Sequence, residues 1–90
     1  MRKHVIVKGR VTGVGFRSLV KRIAFETGVR GFVKNVGNEV EAHAEGMEKQ
    51  VQDFLKRINV KSTSFIGINV EEIIEAKCGC KGFDGFKILF

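Results

Sequence analysis

Tryptophan and tyrosine are absent from these 90 residues, and cysteine and histidine occur only twice each. Without Trp or Tyr, and with no aromatic in the apolar segment Val5-Ile6-Val7, the chain is poorly supplied with rings for stacking nucleobases. Cys78 and Cys80 flank a single glycine, which is not the Cys-x-x-Cys spacing of a zinc half-site, and there is no second cysteine cluster. His4 and His43 stand far from each other and from the cysteines along the chain, so no metal centre is expected. The two thiols read as reduced and structural. No apolar run approaches the roughly 20 residues that span a bilayer. The apolar stretch after Met1-Arg2-Lys3-His4 is too short for a signal peptide, so no membrane partner and a cytoplasmic location are expected. Like charges nowhere gather into a tail.

What is present fits one ordered domain. Hydrophobic residues make up 43% and charged residues 29% of the chain, a globular balance, and residues 1–90 are too few for two domains. Sixteen Lys and Arg against ten Asp and Glu leave a formal charge of +6, which favours anionic partners. The charge alone does not separate a small phosphorylated molecule from nucleic acid.

Periodicity orders the elements. Val5-Ile6-Val7 is β-branched and reads as a strand ending near Gly9. Phe16, Leu19, Val20, Ile23, Ala24 and Thr27 recur at helical spacing, and Gly28 follows as a C-cap. Val29 to Val36 and Val40 to Glu45 are strands, with Gly37-Asn38 between them as a tight hairpin turn. That register sets Val33, Asn35, Val40, Ala42 and Ala44 on one face and Phe32, Lys34, Glu39, Glu41 and His43 on the other. Val51, Phe54, Leu55 and Ile58 mark a second amphipathic helix. Phe65, Ile66, Ile68 and Val70 suggest a strand running to about Ala76, bulged at Glu71-Glu72. Cys78 to Gly82 reads as a loop and Phe86 to Leu89 as a final strand. The order β-α-β-β-α-β plus one strand predicts an α+β sandwich, with an antiparallel sheet covered on one face by two helices.

The chemistry concentrates in Gly9-Arg10-Val11-Thr12-Gly13-Val14-Gly15-Phe16-Arg17, between the first strand and the first helix. Its glycines let the backbone turn N–H groups toward a common point, and the helix start adds unpaired N–H groups and partial positive charge. Arg17 supplies a planar fork suited to an oxyanion. A P-loop would need Gly-Lys followed by Ser or Thr, and a dinucleotide fingerprint a third glycine and a parallel sheet; neither is here. Arg30-Gly31-Phe32-Val33-Lys34-Asn35 fails as a ribonucleoprotein motif, because Lys34 stands where a second aromatic is required. A metal-free anion cradle uses every residue of the loop. Asn35 is the polar exception on an apolar face, where an unpaired buried amide would cost about 1–3 kcal/mol.

These residues resemble the acylphosphatase family. The segment Gly9 to Arg17 is similar to its signature Gly-x-Val-Gln-Gly-Val-x-Phe-Arg, and Gly31-Phe32-Val33-Lys34-Asn35 to its second signature. Val40 to Gly46 continues that block, and Phe83 to Phe90 resembles the family's last strand, so the likeness runs through nearly the whole chain. Thr12 stands where the family has glutamine, and the turn after Asn35 is one residue shorter.

The resemblance implies a ferredoxin-like fold and hydrolysis of acyl phosphates to a carboxylate and inorganic phosphate, the latter both product and inhibitor. It implies that Arg17 and the backbone N–H groups of Thr12, Gly13, Val14, Gly15 and Phe16 bind the phosphoryl group, and that Asn35 holds the attacking water. Thr12 keeps its backbone N–H, so the cradle should survive the change. No metal or organic cofactor is implied, and a monomer is expected. The rival expectation is a non-catalytic module on the same fold, binding an anion or RNA.

Overall fold

A computed structural model of the chain describes residues 1–13, 15–60, 67–79 and 82–89. Its elements are β1 (Arg2–Arg10), α1 (Phe16–Thr27), β2 (Arg30–Val36), β3 (Glu39–Glu45), α2 (Glu48–Ile58), β4 (Asn69–Cys78) and β5 (Phe86–Leu89). The five strands form one sheet in the order β4-β1-β3-β2-β5. Strand β3 lies between β1 and β2, the split βαβ arrangement expected from the element order.

Alternation along the strands produces the two faces. Val5 and Val7 of β1, Val33 of β2 and Val40, Ala42 and Ala44 of β3 are buried, and they meet Phe16, Val20, Ile23 and Ala24 of α1. Helix α2 contributes Val51, Phe54, Leu55 and Ile58, the same four positions its periodicity marks. Gly28 closes α1 in a left-handed conformation, its N–H donating to the Ala24 carbonyl at 2.8 Å. The Met47 N–H donates to Gln50 Oε1 at 2.8 Å and anchors the start of α2.

The hairpin is as expected, with Val36 opposite Glu39 and Asn35 opposite Val40. Of its two turn residues only Gly37 has positive φ, 62°, as a type II′ turn requires of its first central position. The bulge also falls where expected: β1 and β4 shift register between Lys8, paired with Glu72, and Gly9, paired with Val70.

Three expectations need correction. Strand β4 continues to Cys78, because β1 extends back to Arg2 and offers it a pairing partner; the loop therefore starts later than read. The sheet is mixed rather than wholly antiparallel, since β5 joins its far edge parallel to β2. The segment leading into β5 is fastened by the buried Glu45 carboxylate, which accepts from the N–H groups of Gly82 at 2.9 Å and Phe83 at 3.1 Å. Third, Asn35 does lie on the helix-facing side but is exposed, so no burial penalty attaches to its amide. Phe65 and Ile66, read as the start of β4, lie outside the described residues. No helix among the described residues is long and apolar enough to cross a membrane.

Candidate active site

The stretch from Val11 to Gly15 leaves the end of β1 and runs into α1. Val11 and Phe16 are buried at 1% exposure each and pin both ends of the loop into the core. Between them Gly13 and Gly15 have φ of 70° and 80°, a region where a Cβ is strained. Nothing among the described residues lies within 4 Å of where a Cβ would stand on either glycine. Conformation therefore calls for glycine here, and the space beside both backbones is open to a ligand. Val14 lies outside the described residues.

Gly15 is the N-cap of α1 and offers no side chain to its first turn. No acidic residue occupies that turn either, and Arg17 sits there instead. A cation at a helix N-terminus opposes the macrodipole, typically by about 0.3–1 kcal/mol, and an anion bound beside it reverses the sign. Negative charge placed beside that turn would be favoured.

Arg17 is half-buried, and its Nη1 donates to the Leu89 carbonyl of β5 at 3.4 Å. Leu89 is the register partner of Lys34, the residue before Asn35. The arginine and the asparagine, 18 positions apart in sequence (35 − 17), therefore converge on one end of the sheet. Strand pairing leads to the same end from the other side: Val7 pairs with Val40, and Val40 with Asn35, so the end of β1 that feeds the loop lies near the end of β2. The parallel strand β5 is the element that sequence reading left out of the site. The contact was not legible in the sequence because the group it uses on Leu89 is a backbone carbonyl.

Three grooves among the described residues lie elsewhere. One of about 470 Å³ runs between α2 and β4 past Leu55 and Ile73, and one of about 340 Å³ lies between the helices past Ile23 and Arg57. A third, about 210 Å³, is lined by Phe25 and Phe86 among others. Thr12, Gly13, Gly15, Arg17 and Asn35 line none of the three. A phosphoryl-sized anion held by backbone N–H groups and a guanidinium needs no apolar cavity.

The separation of His4 and His43 in sequence is closed by the pairing of β1 with β3, which sets them directly opposite each other. With Glu41 they form a group of possible ligand atoms on the sheet face away from the helices.

The Acylphosphatase family model matches residues 3–88 of the chain. An acylphosphatase from Caldivirga maquilingensis is 36% identical over 92 aligned positions, covering 100% of this chain and 95% of its relative. A probable carbamoyltransferase HypF from Methanocaldococcus jannaschii is 39% identical over 89 residues, and there the chain spans only 12% of its relative's length. Among solved structures, the acylphosphatase from Bacillus subtilis superposes with a TM-score of 0.88 at 31% identity, covering 99% of this chain and 98% of the other.

Proposed function

The chain belongs to the acylphosphatase family of enzymes, and on that premise we propose that it hydrolyses the carboxyl–phosphate bond of an acyl phosphate. Water attacks phosphorus, the bond from phosphorus to the carboxylate oxygen breaks, and a carboxylate and inorganic phosphate leave. The backbone N–H groups of Thr12, Gly13, Val14, Gly15 and Phe16, with the Arg17 guanidinium, hold the phosphoryl oxygens. Asn35 orients the water, and the substrate's own phosphate takes its proton. The carboxylate is already a good leaving group, so positioning and charge stabilisation carry most of the rate. No step is routed through a metal or an organic cofactor. The proposal takes the chain as a cytoplasmic monomer acting on a small molecule rather than on nucleic acid, every required group coming from one chain.

The observation that carries this reading is the tether of Arg17 to the Leu89 carbonyl, one register position from Asn35, beside a glycine loop with open space. Hydrolysis of benzoyl phosphate, followed with and without a chelator, tests it. Phosphate release insensitive to chelator is expected. Asn35→Ala should lower kcat by about 10²–10³-fold, the scale for loss of one positioned polar group, while inhibition by phosphate stays within about twofold. Turnover like the wild type in that variant would remove the water-positioning role.

The likeness to a carbamoyltransferase, of which the chain covers 12%, favours a second reading of the acyl group. On it the chain is one domain of a larger protein, and the mixed anhydride it cleaves carries a carbamoyl group. Comparing kcat/KM for carbamoyl phosphate and benzoyl phosphate separates the two.

A further inference from the structure

The sheet face away from the helices carries a second group of chemistry-bearing side chains. His4 and His43 are cross-strand partners, and Glu41 stands two residues along β3 on the same face. His4 Nε2 lies 3.4 Å from Glu41 Oε2, and His43 Nε2 lies 3.9 Å from Glu41 Oε1. One ligand atom from each of the three falls within 4.8 Å of the others. His4 Nε2 is sealed from solvent and, despite its nearness to the carboxylate, makes no hydrogen bond.

Two imidazoles and a carboxylate are the donor set of zinc and neighbouring first-row divalent ions. With metal–ligand bonds of roughly 2.0–2.1 Å, adjacent corners of a tetrahedral site are about 3.4 Å apart. The His4–Glu41 spacing of 3.4 Å already matches such an edge, and the His43–Glu41 spacing of 3.9 Å is close to it. We propose that His4, Glu41 and His43 form a binding site for a divalent first-row transition-metal ion, zinc by donor chemistry, with a further position open to water.

Two features work against the ion, and both can yield. Lys34 Nζ lies 3.7 Å from Glu41 Oε1 and competes for the carboxylate, but its side chain is 40% exposed and can turn to solvent. The two imidazoles are stacked with centroids 4.5 Å apart and planes 30° from parallel. Their nitrogens converge on one ion only when the rings rotate out of that stack. Phe32, stacked on His43 at 4.6 Å, supports that ring from the adjacent strand. The site shares no residue with the acyl phosphate site and faces the other side of the sheet from Asn35, so it stands whether or not the hydrolytic reading does.

The test is calorimetric titration of the metal-free chain with Zn²⁺, in the wild type and in the Cys78→Ser/Cys80→Ser double variant. The double variant removes zinc binding by the Cys-Gly-Cys pair. One ion per chain should bind in both, and the ring protons of His4 and His43 should shift together by nuclear magnetic resonance. His4→Ala and His43→Ala should each weaken binding by at least about tenfold, since loss of even a supporting group costs a metal site that much. Lys34→Ala should tighten it. Glu41→Gln supplies the same reading if a histidine variant does not fold. Absence of binding in the cysteine double variant, or an affinity unmoved by the His4 and Glu41 changes, would overturn the proposal.

Discussion

Replacing Arg17 by lysine separates a ligand-binding role from a structural one, because the structure assigns very different magnitudes to each. The bond from Arg17 to Leu89 contributes little to stability. Arg17 and lysine have nearly equal helix propensity, and the bond to the Leu89 carbonyl is long, 3.4 Å, at an exposed place. Loss of that one bond should cost about 0.5–1 kcal/mol, which in a chain of this size lowers Tm by about 2–8 °C. The functional side is larger. A guanidinium can give two parallel N–H donors to one phosphoryl group, whereas an ammonium acts as a point charge. Removing one charge-assisted hydrogen bond, worth about 1.5–3 kcal/mol, corresponds to a loss of about 10–150-fold. Arg17→Lys should therefore raise the inhibition constant for inorganic phosphate by one to two orders of magnitude and lower kcat/KM for benzoyl phosphate by at least as much. The assay is steady-state hydrolysis with phosphate as competitor, alongside thermal denaturation of the same preparation. Phosphate inhibition that is unchanged refutes the assignment of Arg17 to the anion. A Tm drop well beyond that range would move Arg17 from ligand binding to structure.

Two further predictions concern the scaffold. In Gly31→Ala the new Cβ would stand 1.8 Å from the His43 carbonyl oxygen of the paired strand at a φ of 145°, whereas in Gly37→Ala it meets open space at a φ of 62°. Urea denaturation should show Gly37→Ala costing about 1–2 kcal/mol and Gly31→Ala clearly more; equal losses would contradict the close approach of β2 and β3. Glu45→Gln replaces the charged acceptor for the Gly82 and Phe83 N–H groups, so those two amides should exchange with solvent faster than in the wild type. Unaltered exchange would show that Glu45 does not fasten the segment entering β5.

The two proposed sites fall on opposite sides of the sheet for a geometric reason. Residues of one strand alternate between faces, so Asn35, in register with Val40, follows the helix side, while Glu41 and His43 follow the other. A shift of one residue in the hairpin would exchange the two sets. The Gly37-Asn38 turn therefore bears on both proposed sites, and, though shorter than the family pattern, it leaves Asn35 on the helix side of the sheet.

Much of the fold was legible because its signals are local. The helical spacing from Phe16 to Thr27, the closing Gly28 and the Gly37-Asn38 turn each act within a few residues, and each element formed where those signals stand. The edges of β4 and the direction of β5 were harder, because pairing partners distant in sequence decide them.

By itself, then, the sequence determined the element order, the core faces and the glycine loop with Arg17, and it carried the family likeness. Tertiary structure alone decided three things. It brought Arg17 to the end of the sheet that carries Asn35 through a backbone carbonyl of β5, which no side-chain pattern encodes. It left Asn35 exposed, since alternation along a strand sets the face of a residue and packing sets its burial. It also joined His4 to His43 and Glu41, because antiparallel pairing makes neighbours of residues 39 positions apart (43 − 4).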